Sequence, residues 1–175
     1  MIPEISIREA TAADNILLAN VGWQSFEQAF AAANTPEDMA AYLPGAFSPT
    51  LQAAELADSQ NIFWLVYTGE EVVGYVKMFT GPAAACVANR KSLKIARLYL
   101  LQAWYGRGIG PEMLHRCLQY AQENGFASVW LTVWEHNLRA LTLYQKLGFK
   151  IVGDEDFVLG QDVQRDFIME KVLES

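Results

Sequence analysis

Three glycines at alternate positions, Gly106, Gly108 and Gly110, follow the apolar run Leu98-Tyr-Leu-Leu and lead straight into a helical pattern. Glycine lets backbone N–H groups turn toward a ligand and lets that ligand approach closely. The helix beyond aims its orphan N–H groups and the positive end of its dipole at the same point. Strand, glycine turn and helix N-terminus together make an anion site, most often for a phosphate group. A phosphorylated cofactor is therefore expected. A P-loop is excluded, because it needs G-x-x-x-x-G-K-S/T and Gly110 is followed by Pro111 and Glu112. The dinucleotide fingerprint needs G-x-G-x-x-G with an acid about 20 residues on. Here the period is G-x-G-x-G and Glu135 lies only loosely in range, so that reading is weakened, not removed. Glycines that merely shape a turn are the plain alternative.

A second group of residues lies downstream in Trp134-Glu-His-Asn-Leu-Arg-Ala-Leu-Thr-Leu-Tyr-Gln-Lys-Leu-Gly-Phe149. Asn137 is a good helix N-cap directly after a strand. Asn137 and Tyr144 are seven residues apart, about 20° off a shared helix face. The small Ala140 between them leaves a groove between amide and phenol. Taken alone, Asn137 could simply cap and Tyr144 simply pack; an independent anion motif upstream favours a functional role.

Together the two segments resemble the GNAT N-acetyltransferase superfamily. Its glycine-rich motif, Arg/Gln-x-x-Gly-x-Gly/Ala, corresponds to Tyr105-Gly106-Arg107-Gly108-Ile109-Gly110. Its downstream motif, N-x-x-A-x-x-x-Y-x-x-x-G-F, is present in full as Asn137, Ala140, Tyr144, Gly148 and Phe149. More narrowly, the chain resembles the PaiA-type polyamine (spermidine/spermine) acetyltransferases. That likeness lies in Phe30-Ala-Ala-Ala-Asn-Thr-Pro-Glu-Asp, Arg97-Leu-Tyr-Leu, Val133-Trp-Glu-His-Asn and the ending Gly160-Gln-Asp-Val-Gln-Arg-Asp-Phe-Ile-Met-Glu-Lys.

The resemblance implies an α/β fold, a mixed twisted sheet flanked by helices, with a V-shaped opening between central strands for acetyl-CoA. It implies that backbone groups of Leu98, Tyr99 and Leu100 pair with the pantetheine arm, and that residues 105–110 hold the pyrophosphate. Asn137 and Ala140 would meet the pantetheine, and Tyr144 would protonate the leaving thiolate. A phenol, with a pKa of about 10, suits a thiol of about 8.5. Three departures stand out. Tyr105 replaces the usual Arg or Gln, Pro111 lacks an N–H, and Lys94-Ile-Ala-Arg97 carries no carboxylate where many relatives place a general base. Glu135 or an ordered water chain is then expected to take the acceptor's proton. The implied acceptor is a polyamine or another small cationic amine, by direct transfer in a ternary complex. A protein N-terminus, a lysine, an amino-acid-like metabolite or a non-catalytic acyl-CoA regulator are the alternatives. Glu27, Glu37 and Asp38 on the first two helices would border the acceptor side.

The elements that must position these residues follow from periodicity. Residues 5–9 alternate like a strand, and a helix is expected over 12–33. Thr35-Pro and Ser48-Pro open two more helices, the first stopping before Pro44-Gly45 and the second running to about Asp58. Strands are expected over 62–67, 72–79 and 93–101, with a polar loop over 80–91. A helix over 110–124, a strand over 129–133, a helix over 137–147 and strands within 149–159 and 163–172 complete the chain.

At 175 residues the chain is read as one domain over 1–175, with enough apolar content (52%) for a real core. A net charge of −7 excludes general affinity for nucleic acid or anionic membranes, which demand a basic footprint. No stretch reaches 18 apolar residues and the first eleven residues carry no apolar leader, so neither a membrane span nor a signal peptide is expected. Cys86 and Cys117 fit reduced thiols in a cytoplasmic protein. His115 and Cys117 fall on different helix faces and His136 stands alone, so no metal site is expected. Assembly as a homodimer is left open.

Overall fold

Two of the helix starts are built from the caps that the sequence spells out. The Thr35 Oγ1 accepts a hydrogen bond from the Asp38 N–H at 3.1 Å, opening α2 (Pro36–Ala46). The Ser48 Oγ does the same for the Leu51 N–H at 3.1 Å, opening α3 (Pro49–Ala57). In both, Pro occupies the first helical position, where its missing N–H costs nothing. The structure, a computed structural model, describes residues 1–88 and 91–174. The loop expected over 80–91 therefore includes two residues outside those described.

The first helix, α1 (Asn15–Phe30), is flanked by single 3₁₀ turns at Ala12–Asp14 and Ala31–Ala33, so the span expected over 12–33 is regular only in its middle. Pro44 does not end α2; the helix continues to Ala46. The ring removes one amide in the last turn only, and the Phe47 N–H still bonds the Leu43 carbonyl at 2.9 Å. Leu43 and Phe47, each 2% exposed, hold that turn against Phe26 and Met39. Burying two such side chains is worth about 1.5–3 kcal/mol each, comparable with the roughly 3 kcal/mol that an interior proline costs.

Among the described residues seven strands form one sheet in the order β1-β2-β3-β4-β5-β7-β6. They are β1 (Ser6–Glu9), β2 (Asn61–Thr68), β3 (Glu71–Phe79), β4 (Ser92–Leu100), β5 (Ser128–Trp134), β6 (Lys150–Leu159) and β7 (Asp162–Val172). Among the described residues only β4 and β5 pair in parallel, and between them runs the crossover helix α4 (Ile109–Glu123). The last helix, α5 (Leu138–Lys146), joins β5 to β6. This is the mixed sheet flanked by helices that the sequence implies. Among the described residues no helix is long and apolar enough to cross a membrane.

The sheet splits at its centre. Pairing of β4 with β5 covers only Ser92 to Ile95 against Ser128 to Leu131. Against β3, register shifts at the same level: Lys77 faces Arg97 but Met78 faces Ile95, so Ala96 is an extra residue on β4. A bulge bends and twists its strand, and beyond this one Leu98, Tyr99 and Leu100 pair with β3 alone. Gly74 makes that close pairing feasible, since a Cβ there would lie 2.2 Å from the Tyr99 carbonyl oxygen. The result is a V between β4 and β5.

Helices cover both faces. On one, Ile109, Met113, Leu114, Cys117 and Ala121 of α4 pack with Leu93, Ile95, Leu131 and Phe149 in the main core. On the other, Leu18 and Val21 of α1 meet Leu65 and Tyr75, while Phe26, Met39, Leu43 and Phe47 form an aromatic cluster reaching Tyr99. The bulge is pinned from this second side. Both Arg97 guanidinium nitrogens hydrogen-bond the Glu55 carboxylate of α3, at 2.8 and 2.9 Å, and Lys77 Nζ adds a third contact at 3.0 Å. Burial works against the Glu55 charge, but Arg97 and Lys77 still hold its carboxyl below the ordinary value. Leaving one of these half-buried charges without its partner would be costly, so α3 fixes the place where the V begins.

Candidate active site

Glycine conformation builds one end of the V. Gly106 and Gly108 have φ of 75° and 81°, the left-handed region that other residues avoid. Gly108 is the N-cap of α4, and the turn leaves the first N–H groups of that helix without intrahelical partners. A Cβ added at Gly106 or Gly110 would meet nothing within 4 Å, so the turn is open to a ligand. At Gly108 a Cβ would meet the Ile2 side chain at 2.9 Å, because the first residues of the chain rest on this turn. Ile109 is buried and anchors the helix start. The Arg107 guanidinium lies 4.7 Å from the Trp104 ring centroid, and Tyr105 is 37% exposed at the rim. Open space, free N–H groups and a helix dipole together fit a pyrophosphate.

Beyond β5 the chain passes into α5. The Asn137 Oδ1 accepts from the Ala140 N–H at 3.2 Å, so the amide caps α5 as expected. Its Nδ2 donor is not needed for that bond. Tyr144 packs against Phe149, ring centroids 5.8 Å apart, on the α4 side of the sheet. Burial, with a smaller effect of Cys117, raises its phenol above the ordinary value, so the proton is held at neutral pH. The edge of β4 over Leu98, Tyr99 and Leu100 is left without a β5 partner, Asn137 caps α5, and Leu98, Leu100, Ala140 and Tyr144 all pack against the main core. Glu135 differs: its Oε2 lies 3.6 Å from Arg165 and its Oε1 3.5 Å from His136.

The face toward α1–α3 carries residues that sequence reasoning missed. Asp166 of β7 stands opposite Trp134 of β5 and opposite Glu155 of β6, so all three share that face. Asp166 is 9% exposed. Burial pushes its carboxyl up to about 6, Glu155 adds to this, and Lys94 opposes it. Tyr42 of α2 and Arg97 line a cleft of about 600 Å³ that reaches the β6–β7 turn. The three acids expected to border the acceptor behave otherwise. Asp38 accepts a bond from the Gln161 N–H at 3.0 Å and ties α2 to that turn, whereas Glu27 and Glu37 are solvent-exposed. One signal for Asp166 was available: it shares the strand period of Ile168, so an acid was due on an inward face.

Comparison with known proteins agrees with this architecture. Residues 23–149 match the Acetyltransferase (GNAT) family. A protein of Lactobacillus delbrueckii subsp. lactis, named an uncharacterized N-acetyltransferase, is 31% identical over 150 residues, covering 86% of this chain and 87% of its own. Another so named, from Mycobacterium tuberculosis, is 30% identical over 156 residues, covering 89% and 96%. Among solved structures, the PaiA N-acetyltransferase of Thermoplasma acidophilum in complex with coenzyme A superposes with a TM-score of 0.75 at 23% identity, over 97% of this chain and 99% of that one. The chain belongs to the GNAT family and is an acetyl-CoA-dependent N-acetyltransferase.

Proposed function

We propose that the acceptor is a primary amine on a small cation, a polyamine being the leading case. The observation that carries this reading is the pair Asp166 and Glu155, which lie side by side on the sheet face opposite α4 and α5. A cationic amine would be drawn to two carboxylates in a chain of net charge −7. An acceptor carboxylate finds less there, because Arg97, the cation lining the cleft, is already held by Glu55.

In this reading the turn over 105–110 binds the pyrophosphate through backbone N–H groups, and the free edge of Leu98, Tyr99 and Leu100 takes the pantetheine as a further strand would be taken. Asn137 donates its Nδ2 hydrogens to the same arm, and Ala140 leaves room for it. Acetyl-CoA supplies the activated acetyl group. Tyr144 donates its proton at the sulfur side, and attack comes from the side of Asp166.

The test is thiol release from acetyl-CoA across spermidine, a monoamine, an amino acid and a peptide with a free N-terminus. Spermidine is expected to be turned over best. Its kcat/KM should fall with salt, since the pull of exposed Glu155 and of the net charge of −7 acts through solvent and is screened beyond about 8 Å at physiological ionic strength. Equal salt slopes for spermidine and the monoamine would contradict the cationic part of the reading. Turnover of the peptide or amino acid alone would replace it.

A further inference from the structure

An amine acceptor must lose a proton before it can attack, because an alkylammonium with a pKa near 10 has no lone pair at neutral pH. On the amine reading, the chain must hold a group that takes that proton. One departure from the family pattern leaves the usual strand position without one, since residues 94–97 of β4 read Lys-Ile-Ala-Arg.

Few acids can serve. Glu55 is consumed by Arg97 and Lys77. Glu135 is engaged by Arg165 and His136. Glu170 holds the Ser128 hydroxyl at 2.6 Å and the Ala88 N–H at 3.1 Å. Asp154 is paired with Arg165. Asp166 is different: it is nine-tenths buried, yet no hydrogen bond or ion pair reaches its carboxylate from the described residues. Burying an unpaired carboxylate is costly, and a fold that keeps one there retains it against stability. Its neighbours place it at the opening. Trp134, its partner in register, lies on the stretch of β5 where β4 has turned away. Its charge acts on Tyr42 of α2, and Lys94 of β4 acts on it.

We propose that Asp166 is the proton acceptor of the reaction, receiving the proton of the acceptor's ammonium group at the mouth of the V. The ammonium nitrogen gives one proton to the Asp166 carboxylate. Its freed lone pair forms the new C–N bond to the acetyl carbon as the C–S bond breaks. Tyr144 supplies the proton that the departing sulfur takes. The second N–H proton, shed as the amide forms, restores the Tyr144 hydroxyl, and Asp166 returns its own proton to solvent. One proton is released for each acetyl group moved.

Among the described residues, the charged and titratable groups facing Asp166 are Glu155 from β6, Lys94 from β4 and Tyr42 from α2; Trp134 of β5 brings no charge. Burial, and then the balance of these charges, sets the acid limb of the pH profile. With its carboxyl at about 6, Asp166 is ready to accept above that pH and protonated below it.

The experiment follows kcat/KM against pH with spermidine, or whichever amine of the panel is turned over. It uses the intact chain and two variants, with coenzyme A titration as the check on the fold. The wild type should lose activity as pH falls through about 6. Asp166→Asn should lose about 10²–10⁴-fold at pH 7 and lose that limb with it. Glu155→Gln, which removes the charge that raises Asp166, should shift the limb to lower pH. Stability gives an independent readout. A carboxyl raised in the folded state costs stability as pH rises from its unfolded value through its folded one. Asp166→Asn should therefore melt higher than wild type at pH 8, with the gain gone at pH 4. A wild-type profile in Asp166→Asn, or an unmoved limb in Glu155→Gln, overturns the assignment to Asp166 alone. If Asp166→Asn fails to fold, the Glu155→Gln limb decides. A wild-type chain that releases no thiol with any amine overturns the amine reading, and the role of Asp166 falls with it.

Discussion

Replacing Gly110 by Asp should abolish coenzyme A binding while leaving the chain as stable as before, or slightly more so. Gly110 is the second residue of α4 and has no left-handed backbone, so a side chain fits without strain. A Cβ there meets nothing within 4 Å. Inside a helix most residues are favoured over glycine by about 0.5–1 kcal/mol, and an acid in the first turn gains about 0.3–1 kcal/mol from the dipole. The same carboxylate would stand where the pyrophosphate is proposed to bind. Like charges in contact cost several kcal/mol, which is about 100-fold or more in Kd. Gly106 and Gly108 would be poorer probes, because their positive φ makes any substitution strained. Calorimetric titration with coenzyme A, beside a thermal melt, checks this. Gly110→Asn, of similar size and no charge, should bind far better than the Asp variant. Wild-type affinity in Gly110→Asp would remove the phosphate role from the turn.

Tyr144→Phe should lower kcat by about 10²–10⁴-fold, the usual cost of losing a general acid, and leave KM for acetyl-CoA nearly unchanged. The phenol is largely enclosed by the α4 side of the core, and no hydrogen bond reaches its hydroxyl from the described residues. Deleting the oxygen therefore breaks nothing in the folded chain, and stability should stay within about 0.5 kcal/mol. Steady-state kinetics of the variant at saturating amine gives the answer. An unchanged kcat would make Tyr144 a packing residue beside Phe149.

The parts of the candidate site that were legible in the sequence are those written locally. The glycine turn feeding α4, the Asn137 cap and the spacing to Tyr144 each depend on a dozen residues or fewer, and periodicity places them on the right elements. Thr35-Pro36 and Ser48-Pro49 were equally plain, since a cap and a first-turn proline carry their own geometry. Pro44 misled because its effect on α2 is set by Leu43 and Phe47 packing elsewhere, a tertiary term that outweighs one lost amide. The acids were hardest to see. Glu55 meets Arg97 across 42 residues of sequence. Asp166 meets Glu155 and Trp134 only because β7 inserts between β5 and β6. No hydropathy pattern gives strand order, so the alternation of β7 could say that Asp166 points inward without saying what it faces. Asp38 shows the converse, an acid on the expected helix whose carboxylate is spent on the Gln161 N–H.

The central claim is that the acetyl group passes directly from acetyl-CoA to an amine held on the Asp166 side of the V. Thiol release measured with and without spermidine, together with the mass of both protein and amine, tests it most directly. Thiol should appear only when the amine is present, the amine should gain one acetyl group, and the protein mass should stay unchanged. Thiol released without amine, with an acetyl group left on the protein, would contradict direct transfer.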